Sequence, residues 1–272
     1  MSGYSIKSQG DLKYISFDIL AGAGTVVHAF TTRLGGISRG PYQSLNLAMH
    51  VGDRREAVLE NRRRACAALG LRLEDMVCGQ QVHGDRVHVV TGADRGKGIY
   101  GEEGAIPGTD ALITGRPGIL LSSYYADCVP IMILDPVRKA IGLVHAGWKG
   151  TVMRIAGTAL KAMGQAFGTD PGDCLAAVAP SIGPCCYEID RPVVDALTGG
   201  GFDPGPFVKP AGPDRWKLDL QLLNRAILAE AGVKPESIAV AGLCTSCHPE
   251  LFFSYRGQSG QCGRMASLMA LI

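Results

Sequence analysis

The sequence has 272 residues, 46% of them hydrophobic, with a formal net charge of +2 at pH 7. That apolar share supports one large core or two small ones, and so small a net charge removes the electrostatic argument for nucleic-acid or membrane-surface binding. No apolar run reaches the length of about 18 residues needed to span a bilayer. The N-terminal stretch lacks the apolar segment of an export signal, so the nine cysteines are expected to be reduced thiols in a cytoplasmic protein.

Residues 1–25 read as a peripheral N-terminal segment. The β-branched run "VVHAFTTR" (26–33) predicts a strand, and the Gly/Ser/Pro-bearing stretch after it an ordered loop. Residues 53–70 carry helix formers, an early aspartate and a closing glycine, and predict a helix with a basic solvent face. "DRVHVV" (85–90) predicts a strand, and the glycine-rich stretch 92–110 a mobile loop. "ALIT", "GILLSSYY", "VPIMIL" and "AIGLVH" predict further strands. Val152, Ile155, Ala156, Ala159, Leu160, Met163 and Phe167 follow the spacing of one core-facing helix over 151–167. "CLAAVAPSIG" and "SIAVAGLC" predict strands, 217–232 a helix, and 198–216 a long Gly/Pro loop. Strands and helices interleave without a linker-like shift in composition, which predicts a single mixed α/β (α+β) domain over 1–272.

"VPIMIL" and "AIGLVH" are separated by "DPVRK", a turn short enough for an antiparallel hairpin. Setting Leu134 roughly opposite Ala140 brings Cys128 across from His145 to within a residue or two of register, about 5 Å apart by strand spacing. A thiol facing an imidazole suits a Cys–His nucleophile pair, two zinc ligands, or a buried hydrophobe beside a strand-end histidine. His83, at the start of the 85–90 strand, is preferred to His88 as a third ligand. Such a trio with an open fourth position suits a catalytic zinc.

Other motifs fail on inspection. "CTSCH" (244–248) matches the c-type haem attachment pattern but has no export signal before it. Cys244 and Cys247 offer half of a zinc knuckle with no second CxxC to complete it. "GWKGT" (147–151) lacks the glycine and lysine order of a phosphate-binding loop, although Lys149 near a helix start is suited to an anion. Six histidines with no His-X-His pair argue against a multicopper cluster, and the zinc deaminase signature is absent.

"FTTRLGGIS", "SLNLAMHVGD", "QQVHGDRV", "GTDALIT", "ADCVPIMILDP", "VHAGWKGT", "APSIGPCCYEI" and "FFSYRGQSGQCGRMASL" occur in the order of one family. The chain resembles the YfiH-like, laccase-domain proteins, also called the polyphenol oxidase or purine nucleoside phosphorylase family. The resemblance implies an α/β sandwich shared with cytotoxic necrotizing factor-like proteins, and a zinc site at His83, Cys128 and His145. It implies phosphorolysis of adenosine, inosine, guanosine and S-methyl-5'-thioadenosine, together with adenosine deamination. The laccase name implies copper and phenol oxidation, and copper is an expected ligand in vitro. Where the family pattern has two adjacent arginines and Thr-Gly-Arg, this sequence has "SYRG" and "CGR", so Gly257 and Cys262 bear on anion contacts rather than on the metal trio.

On that reading Arg33, Lys149 and Arg256 are the cations for phosphate or the ribose edge. Asn46 is a hydrogen-bond partner for sugar or base. Asp127, beside Cys128, is a candidate to orient a ligand or take a proton, although a strand would turn it away from Cys128. Expected partners are purine nucleosides and phosphate, with no nucleic acid or membrane and a monomeric chain. The alternatives are a Cys–His amide hydrolase editing a cell-wall precursor, and a copper-dependent polyphenol oxidase.

Overall fold

The computed structural model describes residues 3–272. Strands β1 (Tyr4–Gln9) and β2 (Leu12–Phe17) form a hairpin, followed by the single turn α1 (Asp18–Ala21) and β3 (Val26–Thr31). Helix α2 (Arg55–Ala68) precedes β4 (Met76–Cys78), β5 (Val87–Val89), β6 (Ala111–Thr114) and β7 (Leu120–Tyr125). The hairpin β8 (Val129–Asp135) and β9 (Ala140–Ala146) leads into α3 (Trp148–Val152) and α4 (Ile155–Phe167). β10 (Leu175–Val178), β11 (Glu188–Ile189), α5 (Arg191–Gly199), β12 (Val208–Gly212) and β13 (Arg215–Leu218) follow. The chain finishes with α6 (Leu220–Glu230), β14 (Ile238–Val240) and β15 (Met265–Leu271).

Two six-stranded mixed sheets, β1-β2-β3-β15-β7-β4 and β14-β10-β8-β9-β6-β5, pack face to face, and β11-β13-β12 form a small third sheet. The period-two side-chain alternation of strands divides each central strand between two cores. Met132 and Leu134 of β8 meet Tyr125, Met265 and Met269 between the sheets. Ile131 and Ile133 point the other way, onto Leu160 and Met163 of α4 and Ile227 of α6. On the far side Leu120 and Leu268 pack against Ala65 and Cys66 of α2. The result is a single-domain mixed α/β sandwich of four layers. Burial on both faces explains why "VPIMIL" and "AIGLVH" read as unbroken apolar runs. Among the described residues no helix is long and apolar enough to cross a membrane.

Several expectations change. The helix expected over 151–167 is two helices, because Arg154 adopts a left-handed φ of 57° between α3 and α4. The 198–216 loop contains the end of α5 and the β12–β13 hairpin, whose exposed Lys, Pro and Gly gave no strand pattern. The N-terminal segment is peripheral only in β1, since Ile15 and Phe17 of β2 are fully buried. The glycine-rich 92–110 stretch is anchored rather than loose. Arg62 of α2, buried beneath an otherwise basic helix face, donates to the carbonyls of Leu47, Gly98 and Ile99 at 2.7–2.8 Å.

Candidate metal centre and cavity

Cys128 lies in the short link that carries the chain from β7 in one sheet to β8 in the other. The β8–β9 register pairs Pro130 with His145, two residues away from the expected pairing of Cys128 with His145. Asp135 stays in the strand, and its Oδ1 accepts the N–H groups of Val137 and Arg138 at 2.9 Å, so the turn is one residue tighter than "DPVRK". Carrying the register outward sets Cys128 against Gly147. The missing side chain there leaves the room the site needs: a Cβ on Gly147 would lie 2.8 Å from His83 Cδ2 and 3.2 Å from Cys128 Sγ.

His83 enters from the loop before β5 with a left-handed φ of 61°. One donor atom each from His83, Cys128 and His145 lies within 4.8 Å of the others, and His83 Nε2 is 3.7 Å from Cys128 Sγ. Two ligands of a tetrahedral zinc at about 2.0 and 2.3 Å stand about 3.5 Å apart, so the donor set fits that ion.

Asp110, at the foot of β6, organises the trio. Its Oδ1 accepts His145 Nδ1 at 2.8 Å and the His83 N–H at 2.9 Å, while Oδ2 accepts the N–H groups of Val82 and Gly84. Nδ1 of His145 is thereby occupied and Nε2 is left for an ion, the usual carboxylate–histidine–metal arrangement. Burial would raise the Asp110 carboxyl, but its bond to His145 and the backbone N–H groups hold it below the ordinary value. Burial would likewise raise the Cys128 thiol; the facing His145 outweighs it and brings the thiol down to about 6. For His145 burial lowers, and the Cys128 thiolate and Asp110 raise, giving about 9. Without an ion the pair is a thiolate–imidazolium.

The trio opens on a cavity of about 440 Å³ whose other walls include His50, Gln81, Tyr124, Asp127, Tyr187, Tyr255, Arg256 and Arg264. Gln81 is fixed to the main chain of Tyr124 through both ends of its amide, at 2.8 and 2.9 Å. Two guanidinium groups lie over tyrosine rings, Arg256 over Tyr187 at 5.4 Å and Arg264 over Tyr255 at 5.7 Å.

Of the other residues singled out in the sequence, Arg256 and Asp127 line the cavity and three do not. Arg33 is spent on the carbonyls of Gln43 and Pro249, at 2.9 Å each, and stacks on Phe253. Asn46 is fully buried; it donates to Ala48 O and Asp53 Oδ2 and accepts the Arg264 N–H at 2.9 Å, so it braces the cavity wall from behind. Lys149 is exposed on the five-residue α3, with its ammonium beside the Trp148 ring. Asp127 is not in a strand. Its φ is 80°, and its two oxygens accept Thr245 Oγ1 and the Arg256 N–H at 2.7 Å each. Asp110 and Arg264 were missed as site residues; both stand inside quoted motifs, "GTDALIT" and "CGR". Gly257 gives its N–H to Ser254 Oγ, and Cys262 is buried with its sulfur 3.2 Å from the Arg264 guanidinium, so the second cavity arginine is Arg264.

The remaining histidines have other partners: His28 accepts the Phe17 N–H, His50, in the cavity wall, pairs with Glu102, and His88 and His248 pair with Asp94 and Glu250. No multi-histidine copper cluster is assembled among the described residues.

Fold and site together define a mixed α/β protein with a three-ligand candidate metal centre in the wall of a ligand-sized cavity. The chain belongs to the family described as multi-copper polyphenol oxidoreductase laccase, whose model matches residues 27–272. It is 43% identical over 249 residues to purine nucleoside phosphorylase YlmD of Geobacillus stearothermophilus, covering 91% of this chain and 90% of that protein. It is 35% identical over 240 residues to adenosine deaminase RL5 of an unknown prokaryotic organism, covering 88% and 91%. The crystal structure of YlmD from Geobacillus stearothermophilus superposes with a TM-score of 0.93 at 39% identity, covering 100% of this chain and 99% of the other. These relatives carry enzyme names, and this chain is an enzyme of the same family.

Proposed function

We propose that the protein is a zinc-dependent purine nucleoside phosphorylase acting on adenosine, inosine, guanosine and S-methyl-5'-thioadenosine, with adenosine deaminase activity. The observation that carries the reading is the joint presence, in one cavity, of the His83–Cys128–His145 trio, tyrosine faces and two guanidinium groups. The names of the relatives support the same substrates.

Phosphorolysis forms a bond from a phosphate oxygen to C1' of the ribose and breaks C1'–N9, the electron pair leaving on the purine. Arg256 and Arg264 are the phosphate-holding pair: both line the cavity, and although Nη1 of Arg256 donates to Glu188 O and Nη1 of Arg264 to the carbonyls of Cys262 and Gly263, each fork keeps further N–H donors for phosphate oxygens. The rings of Tyr187 and Tyr255 give the purine an aromatic wall. Asp127 is a positioning residue. With both oxygens already accepting hydrogen bonds, it fixes the main chain of Arg256 rather than carrying a proton. When bound, zinc supplies Lewis acidity to an oxygen or nitrogen brought against it, including water near C6 of adenine. Asp110 keeps His145 in the tautomer that leaves Nε2 free.

Incubation with adenosine, with and without phosphate, tests this, products being read by mass spectrometry with Cys128→Ala as control. Adenine plus ribose 1-phosphate, formed only with phosphate and lost in the variant, is the expected result. Inosine in both buffers marks deamination. No product from zinc-loaded protein refutes the purine reading. A second reading rests on the Cys128–His145–Asp110 line, which has the order of a thiol hydrolase triad. It predicts amide cleavage that survives chelation and stops on alkylation of Cys128.

A further inference from the structure

We propose that Cys185, Cys186, Cys244 and Cys247 form a second metal site, a tetrathiolate centre for one zinc ion that clips a loop walling the cavity to a loop that braces the cavity residue Asp127. Read along the chain, Cys244 and Cys247 are half a knuckle, and "GPCC" lies about sixty residues upstream with no CxxC spacing. The topology supplies the partner. β10 and β14 are parallel neighbours, and the loops beyond their C-terminal ends run on side by side, with a bridge between Ser181 and Cys244. The Thr245 N–H bonds to Ser181 O at 3.0 Å, so the cysteines following each strand converge.

The spacing is that of one shared ion. All four sulfurs lie within 4.8 Å of one another, and Cys247 Sγ is 3.4 Å from Cys185 Sγ and 3.5 Å from Cys186 Sγ. Four thiolates at about 2.3 Å from a tetrahedral zinc stand about 3.8 Å apart. A disulfide would single out one pair, whereas Cys247 is near-equidistant from two sulfurs. An iron–sulfur cluster needs cysteines spread around several metal atoms, and these are packed too closely.

The surroundings are those of a ligand set. Cys244 is buried and its sulfur accepts the Gly183 N–H at 3.2 Å, the contact expected around a thiolate bound to metal. Gly183 is the cradle: a Cβ there would lie 3.0 Å from Cys244 Cβ and 3.3 Å from Cys185 Sγ. Cys185 and Cys247 are exposed, giving an ion a way in, yet four protein ligands leave no open position. The centre is therefore structural. Zinc binding turns the thiols into thiolates and releases their protons to solvent. One loop carries Ile182 and Tyr187 to the cavity; the other carries Thr245, which holds Asp127.

The site stands apart from the proposed reaction, and cobalt(II) tests it without any activity measurement. The full chain, reduced and stripped of metal, is titrated with cobalt beside Cys128→Ala, which lacks the first centre. The variant is expected to keep one cobalt per chain, with the strong sulfur-to-cobalt absorption of a tetrathiolate, bleached by added zinc. Cys185→Ser/Cys247→Ser is expected to lose that absorption and one metal per chain. Should the double variant fail to fold, mass-mapped alkylation of the unmutated chain decides: zinc protects all four cysteines. Absence of the tetrathiolate bands in Cys128→Ala, zinc-independent alkylation, or a stable disulfide at Cys247 in reduced protein overturns the proposal.

Discussion

Replacing Asp110 by asparagine isolates the charge that aims His145. The side chain of Asp110 is buried and accepts four N–H groups, from His145 Nδ1 and from the main chain of residues 82–84. Asparagine keeps the shape but has one acceptor oxygen. Its NH2 then faces either the imidazole N–H or the backbone donors, at a cost of about 1–3 kcal/mol for a buried mismatch. Losing a carboxylate behind a ligand histidine lowers metal affinity by about 10–100-fold, equivalent to about 1.4–2.7 kcal/mol. The assay is zinc competition against a chromogenic chelator, with thermal unfolding in parallel. Each kcal/mol lost from a chain of this size lowers the Tm by about 2–4 °C. A folded Asp110→Asn protein that binds zinc within twofold of the unmutated chain would refute the account of how the trio is held.

In chelated protein the Cys128 thiol should alkylate with a midpoint near pH 6, where an ordinary cysteine titrates near 9.0, and His145→Ala should shift that midpoint upward. An unshifted midpoint rules out the ion pair. The thiol is depressed, so its contribution to stability disappears as pH falls through about 6; the imidazole is raised from 6.5, so its contribution disappears as pH rises through about 9. The metal-free Tm should therefore fall on both sides of that window, and a flat profile counts against it. Gly147→Ala, at an ordinary φ of −66°, should fold yet displace His83 and Cys128, with activity down about 100-fold; unchanged turnover refutes the steric argument. Arg256→Ala should raise the KM for phosphate by about 10–100-fold, the value of one charged hydrogen bond, while Arg33→Ala leaves it unchanged; equal effects would remove the assignment of the anion site.

The central strands were legible because their apolar runs are long and buried on two sides; β8, β9 and α4 carry their cores where the spacing put them. Elements held by pairing alone were not. β1 is a polar edge and β12 an exposed one, and neither offers an apolar alternation to read. The buried β15 was hidden for another reason: all seven of its residues are buried, so its small and apolar side chains carry no period-two alternation. The side chains of His83, Cys128 and His145 converge despite a register error of two residues, because Cys128 follows a sheet-to-sheet crossing and His83 reaches it across Gly147.

Arg33 and Asn46 were chosen by chemical type, and a type does not reveal whether its hydrogen bonds are already committed; Lys149 instead stands exposed on α3, outside the cavity. Arg33 and Asn46 spend theirs on main-chain and side-chain groups behind the cavity. Asp127 is committed in the same way, yet its commitment places Arg256. Asp110 shows the converse: it touches no open space, and yet it aligns two of the three ligands. A buried carboxylate serving an imidazole and a row of backbone N–H groups therefore locates this site more surely than any exposed cation does.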